Sequence, residues 1–379
     1  MDFSYSEEQR QLADSLRRFI EERYPLETRR HANGFSRDAW RTYAEFGVLG
    51  LVIGAEYGGF DADATDTFAV QFEAGRALLP EPLIACAVMA AGLIQRHGTE
   101  TQREAWLPPI AEGREIMTLA YQETCTRYDF ARPSTLAQAH ADGFQLDGEK
   151  VHVWHGETAR SLIVSAWNAS AQAVSLFVVP STAAGVSMRP YPALDGARDA
   201  HVTLKAVRVP ESAMIGDGTH GAAMLETALE LGIAALCAAS AGALERLIEM
   251  TAEYLNMRKQ FGQPLARFQA LRHRIADMAV QKELAVSMAH LAASAIDHPD
   301  AVERCRMISS AKLIVSQAAR FVGEQAVQLH GGMGVTAELP VGDYFKALTA
   351  ASLRLGDADH HADVLANLPA GASSRALTA

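Results

Sequence analysis

The sequence predicts an α+β fold in three consecutive parts: a helical segment, a β segment, and a bundle of long helices. Three observations predict it. Apolar residues recur at helical spacing through roughly the first 115 positions. Short runs rich in branched apolar residues follow, and long helical stretches with short connections fill the remainder. Strands and helices do not alternate along the chain, which argues against a doubly wound nucleotide-binding sheet.

The first helical domain is assigned to residues 1–116. Ser6-Glu7-Glu8-Gln9 fits a capping box, with Ser6 as N-cap and Gln9 reaching back to its amide. Leu12, Leu16, Phe19 and Ile20 then make one apolar stripe, and Pro25, which has no N–H to give, stops the helix. Further helices are expected over 66–77 and 85–96, broken by Gly58-Gly59 and by Pro80 and Pro82. Residues 117–214 are assigned to a β-barrel domain. Runs at 161–166 and 174–179 read as strands, 201–209 alternates as a half-buried one, and Asp142-Gly143 and Asp147-Gly148 read as hairpin or turn signals. Residues 215–367 are assigned to an antiparallel four-helix bundle with helices over 221–259, 268–297 and 301–329, and a fourth after Pro340. The final stretch, 368–379, reads as a flexible tail.

Composition narrows the function classes. A chain of 379 residues with 49% apolar and 21% charged side chains is globular and too long for one ordinary domain. The net charge of −11 argues against nucleic acid as a partner. With no basic leader and no apolar stretch of ~20 residues, no membrane partner is expected, and the chain reads as cytoplasmic. Cys86, Cys125, Cys237 and Cys305 are widely spaced and form no CxxC pair, so reduced thiols are expected. The run Asp357-Ala358-Asp359-His360-His361 offers metal-ligand chemistry, but adjacent helical histidines point ~100° apart, and no metal site is assigned.

The last third carries the most specific pattern. Arg258-Lys259-Gln260-Phe261-Gly262 with Phe268-Gln269 resembles the acyl-CoA dehydrogenase signature R-x-x-F-G…F-Q. Gln325 and Gln328-Leu329-His330-Gly331-Gly332-Met333-Gly334 resemble that family's Q-x-x-Q-x-x-G-G-x-G. Either motif alone also reads as a helix end with a surface Arg or as an interhelical turn; together and in family order they carry the resemblance, which the SEEQR opening, EYGGF at 56–60 and DGEK at 147–150 extend over nearly the whole chain.

The resemblance implies the acyl-CoA dehydrogenase fold, an acyl-CoA substrate and FAD lying across a subunit interface, with electrons passed to an electron-transfer flavoprotein. It implies that Arg258 pairs with the pyrophosphate as a charged fork, that Phe261 packs on the cofactor and that Gln269 and Gln328 give amide hydrogen bonds. Gly331 and Gly332 would let backbone approach the ligand, and Trp154 offers a surface on which a flavin ring can stack.

The sequence departs from the family where the chemistry occurs. The family holds a glutamate base at one of two positions, because a weakly acidic α-proton needs a positioned carboxylate. Here those positions fall on Leu355 and Gly232, and neither can accept a proton. Glu230 is turned ~200° from position 232 on a helix and reads as a solvated or interhelical charge. Glu123 and Asp357 are the other candidates for a substitute base. Where the family reads T-E-P-x-x-G-S-D, the chain has Gln122-Glu123-Thr124-Cys125-Thr126-Arg127-Tyr128-Asp129, and His152-Val153-Trp154-His155 replaces W-I-T-N. The pattern, with Tyr344-Phe345-Lys346, the Leu355–His361 stretch and His155-Gly156, is similar to the small subunit of pimeloyl-CoA dehydrogenase-type enzymes and to the actinobacterial steroid-degrading dehydrogenases built as α2β2 heterotetramers. That implies a large acyl-CoA dehydrogenase subunit as partner in a heterotetramer and a dicarboxylyl-CoA substrate. A self-sufficient homo-oligomer and a non-catalytic acyl-CoA or flavin-binding protein are the alternatives.

Overall fold

The Ser6 capping box forms: in a computed structural model describing residues 6–369, Gln9 N donates to Ser6 Oγ at 3.1 Å and Ser6 N to Gln9 Oε1 at 2.8 Å. Of the expected tail, residues 370–379 lie outside the described residues. The helix so started, α1 (Glu7–Arg23), ends just before Pro25 and buries Leu16 and Ile20.

By contacts the chain divides into two compact units. One comprises the chain up to Ala13, Phe68–Leu79 and everything from Ile233; the other comprises Asp14–Thr67 and Pro80–Gly232. The second holds α2 (Leu26–His31), α3 (Arg37–Glu45), a π-helical segment Leu83–Ala90 running into α5 (Ala91–His97), and α6 (Glu100–Ala111). Every residue of the π-helical segment is buried. Glu81, two residues before it, is an anchor: Tyr24 Oη donates to it at 2.7 Å, Ser36 N at 3.1 Å and Tyr43 Oη at 3.2 Å. Burial pushes the Glu81 carboxyl up to about 7 despite those three donors.

The same unit carries one seven-stranded sheet of β1 (Met117–Ala120), β2 (Leu136–His140), β3 (Gly143–Val153), β4 (Ser161–Asn168), β5 (Ala173–Pro180), β6 (Val186–Pro192) and β7 (Arg198–Pro210). Its order is β1-β4-β2-β3-β7-β6, with β5 paired to β4. β4 takes β1 and β2 as successive parallel neighbours, and the remaining pairs are antiparallel. The sheet curls around a single core that includes Leu146, Leu162, Val164, Phe177, Val202 and Val207. Asp142-Gly143 opens a hairpin as expected, but Asp147-Gly148 does not turn the chain. It sits inside β3 at a register shift, where Asp147 accepts from Ala206 N, and a Cβ on Gly148 would lie 2.5 Å from Thr135 Oγ1.

The long helices are α7 (Gly221–Met257), α8 (Gln269–Ala295), α9 (Ala301–His330), α10 (Val341–Leu353) and a short α11 (Ala358–Asn367), with α8, α10 and α11 packed on α9. In the first unit α4 (Ala64–Ala77) crosses α7 at bare backbone. A Cβ on Gly75 would fall 1.8 Å from Ala239 O, and one on Gly242 1.9 Å from Phe72 O. Arg76 beside that crossing pairs with Glu245 and Glu249. Contrary to the sequence expectation, α7 is long and apolar enough to cross a membrane; 89% of its most apolar window is buried, which makes it a core helix. The four cysteines are free thiols.

Candidate functional site

In the first unit the two sequence motifs meet at one end of the bundle. The α7 helix ends at Met257, and Arg258 leads into a tight β8 (Lys259–Gln260) to β9 (Gln263–Pro264) hairpin with Phe261 and Gly262 at its tip. Leu265 N returns to Arg258 O at 2.9 Å, closing the hairpin base. The Tyr254 ring stacks on His330, and Tyr254 Oη donates to His330 O at 3.4 Å, so the hairpin is tied to the Gly331–Val335 turn at the end of α9. Between α8 and α9, Arg274 donates to Gln325 at 3.3 Å.

Arg258, Phe261, Gln269, Gln328, Gly331 and Gly332 are all exposed, Phe261 to 88% although it packs edge-on against Phe268. Gly331 has φ +61° and ψ −142°, a conformation that side chains disfavour, so its glycine is required by the backbone. Gly332 differs: a Cβ there would meet nothing within 4 Å. Nothing among the described residues calls for glycine at 332, which suits close approach by a bound molecule.

Position 355 lies in the turn between α10 and α11. Leu355 has φ +58° and Gly356 φ +100°, so two consecutive residues take left-handed backbone. Asp357 is the N-cap of α11, its Oδ1 accepting from His360 N at 2.8 Å, which commits it structurally. His361 Nε2 donates to Leu355 O at 3.0 Å. The sequence reading missed Lys312 altogether. It is fully buried in α9, and its Nζ donates to Ala351 O, Ser352 O and Ser316 Oγ at 2.9, 3.2 and 3.1 Å. The available signal was a lysine on the buried stripe of Ile308, Ala311, Val315 and Ala319.

In the second unit Glu123 is committed to the fold. Its carboxylate accepts from Lys150 Nζ at 2.7 Å and from the amide and hydroxyl groups of both Ser134 and Thr135, with the side chain 2% exposed. Burial opposes its ionisation, but Lys150 and the Ser134 and Thr135 donors prevail and hold it at about 2. Such a carboxylate anchors both ends of the 122–134 loop and is a poor base. Tyr128 in that loop lies under Arg127, with 5.1 Å from the guanidinium to the ring centroid. Trp154 is half-buried, its carbonyl accepting from Thr118 Oγ1 at 2.6 Å and its ring stacked on His155. Gly232 is buried in α7, and so is Glu230, which excludes the solvated alternative for it and leaves the interhelical one.

Three family models match consecutive stretches of the chain. They are the acyl-CoA dehydrogenase N-terminal domain over residues 6–114, the middle domain over 118–207 and the C-terminal domain over 219–367. The chain belongs to the acyl-CoA dehydrogenase family. It is thereby an FAD-dependent oxidoreductase of the acyl-CoA class. It is 28% identical to the probable acyl-CoA dehydrogenase YngJ of Bacillus subtilis over 352 residues, 90% of this chain and 92% of that one. Among solved structures it is similar to a chain of the ChsE4-ChsE5 complex from Mycobacterium tuberculosis, at 25% identity and a TM-score of 0.87 over 98% and 100% of the two chains. A chain of a Tcur3481-Tcur3483 steroid ACAD variant matches at 28% identity and a TM-score of 0.86, over 98% and 99%.

The residues present fit FAD at the bundle end. An exposed guanidinium, an exposed aromatic and an uncrowded glycine lie on turns tied together by Tyr254 and His330, with exposed amides at the start of α8 and near the end of α9.

Proposed function

We propose that this chain is the base-lacking subunit of a heteromeric acyl-CoA dehydrogenase, of the kind found as the small subunit in pimeloyl-CoA dehydrogenase-type enzymes. The observation that carries the reading is a contrast. Leu355 and Gly232 stand at both family base positions, while Arg258, Phe261, Gln269, Gln328, Gly331 and Gly332 stay exposed at one end of the bundle. Phe261, 88% exposed next to these polar groups, offers an apolar face on which an aromatic ring of the cofactor can pack. In this reading that ring belongs to FAD held mainly by a large partner subunit, whose glutamate takes the substrate's α-proton. Bound FAD would supply the acceptor for the β-hydride. This chain's part would be to hold the cofactor: Arg258 would neutralise the pyrophosphate, Phe261 would pack on it, and Gln269 and Gln328 would donate amide hydrogen bonds.

The ChsE4-ChsE5 complex and the Tcur3481-Tcur3483 steroid ACAD each pair two proteins, which supports a heteromer. Two candidates for a substitute base give no support to a self-sufficient enzyme: Glu123 is saturated with donors and Asp357 caps α11. The reading includes a division at 1–116, 117–214 and 215–367, a dicarboxylyl-CoA substrate, a cytoplasmic location and delivery of electrons to an electron-transfer flavoprotein.

The test is co-expression with a candidate large subunit, measuring flavin per chain and dehydrogenase turnover. The chain alone should turn over little, and the pair should bind FAD and desaturate acyl-CoA. Robust turnover by this chain as a pure homo-oligomer would overturn the reading. Flavin or acyl-CoA binding without turnover in any pairing would favour a non-catalytic binding protein instead.

A further inference from the structure

The most unusual buried charge of the first unit lies next to position 355. Lys312 is 1% exposed, and no carboxylate contacts its ammonium group among the described residues; Asp357 attracts it only through space. It has instead three acceptors for its three N–H bonds: Ala351 O, Ser352 O and Ser316 Oγ. Ala351 and Ser352 lie in the last turn of α10, whose carbonyls have no partner within the helix and carry the negative end of its dipole. The ammonium is thus a buried C-terminal cap. Burial pulls its pKa down to about 8, so it remains largely protonated at neutral pH.

A second buried donor holds the far side of the same turn. His361 is 3% exposed, and its Nε2–H donates to Leu355 O at 3.0 Å. Its Nδ1 is buried without a hydrogen-bond partner among the described residues, which suits a neutral ring protonated on Nε2. Burial lowers the imidazole to about 4, which keeps it neutral through the physiological range. The packing is tight as well: a Cβ on Gly356 would lie 2.6 Å from His361 Nε2 and 2.6 Å from His360 Cδ2. Between these donors Leu355 is held in left-handed backbone, which is unfavourable for a branched side chain without outside support.

We propose that Lys312 and His361 are positioning residues that together lock the 354–357 turn, so that the backbone at position 355 remains set for a functional side chain although leucine occupies it. The functional half of this statement rests on reading 355 as a base position; the lock itself stands on the geometry. From 351 to 355 the clamp grips only main-chain carbonyls, those of Ala351, Ser352 and Leu355, so it does not depend on which side chain 355 bears.

Hydrogen exchange on the full-length chain with FAD and the partner subunit tests the lock without turnover. In Lys312→Met and, separately, in His361→Phe, which keeps ring volume and removes the donor, amides of 354–357 should exchange roughly tenfold faster, the scale of one lost buried hydrogen bond. Amides in the middle of α7 should be unchanged. Unchanged exchange in the turn, or an equal rise throughout the bundle, overturns the lock. Should Lys312→Met fail to fold, His361→Phe decides the matter alone. The functional half is read separately, from wash-in of deuterium at the α-carbon of an acyl-CoA in D2O. Leu355→Glu should gain exchange over the wild-type chain, and adding His361→Phe should reduce that gain. A faster-exchanging turn combined with no gain from Leu355→Glu leaves the lock standing and sinks the reading of 355 as a base position.

Discussion

Tyr254 and His330 stack with ring centroids 4.4 Å apart and an interplanar angle of 27°, joining the hairpin of Arg258 and Phe261 to the turn of Gly331 and Gly332. Burial lowers the pKa of His330, and its Nδ1–H donates to Ala326 O at 2.8 Å, so the imidazole is a neutral platform. An aromatic pair of this kind is worth about 1 kcal/mol beyond its buried area. Replacing Tyr254 with leucine should therefore weaken FAD retention by the heteromer about fivefold, measured by equilibrium dialysis, with little change in the unfolding midpoint. A large loss of stability and unchanged flavin affinity would contradict the linkage.

Arg258 should matter through charge and geometry together. Arg258→Ala should lower FAD affinity by about 2 kcal/mol, roughly thirtyfold, the scale of a charge-assisted hydrogen bond. Arg258→Lys should recover only part of it, because a point charge cannot reproduce the two-pronged contact. Full rescue by lysine would argue against bidentate pairing with the pyrophosphate.

Glu81 sets a pH dependence in the second unit. Its folded pKa, about 7, lies above the ordinary carboxyl value of 4.5. The folded state therefore binds the proton more tightly than the unfolded chain does. The stabilisation is full below about 4.5 and is lost as pH rises through 7, amounting to about 3 kcal/mol across that window. Glu81→Gln keeps the shape and should flatten this part of the pH profile of the unfolding midpoint. A profile identical to wild type between pH 5 and 8 would refute the assignment.

The Glu123–Lys150 pair has the opposite sign. The Glu123 carboxyl is depressed to about 2, so its contribution is present above the unfolded carboxyl value and disappears as pH falls through 2. Breaking the pair with Lys150→Met leaves a buried carboxylate and should cost about 3–5 kcal/mol in urea unfolding. Glu123→Gln should likewise lose stability. If Glu123→Gln instead abolished α-proton exchange while leaving stability intact, Glu123 would be a base after all.

The crossing of α4 and α7 admits no side chain at Gly75. Gly75→Ala places a methyl where Ala239 O stands, so the helices must separate, at a cost of about 3 kcal/mol. A variant as stable as wild type in chemical denaturation would show that the crossing is looser than its geometry indicates.

What could be read from the residues alone was what is local. The Ser6 cap, the stop at Pro25, the strand runs at 161–166 and 174–179 and the long C-terminal helices depend on near neighbours, and each lies in an element of the expected type. Asp147-Gly148 misled because the same dipeptide suits a turn and a bulge, and only pairing of β3 with β7 decides between them. The burial of Lys312 could be read from its apolar stripe, but its role could not, because two of its acceptors are main-chain carbonyls 39 and 40 residues further on, and carbonyls have no letter in a sequence. Gly75 and Gly242 were silent for a related reason: their partners are backbone atoms of a distant helix. At position 355 the letters disclosed what is missing and concealed what has been kept.

The turn around Leu355 is held by main-chain acceptors and buried donors, so the framework and the reactive group are separate inheritances. Mutation can remove one without disturbing the other. A chain of this kind can stop performing chemistry without losing its shape, and can serve beside a duplicate that still performs it. On the proposed reading the change is reversible as well, because the framework grips main-chain carbonyls and not the side chain at 355.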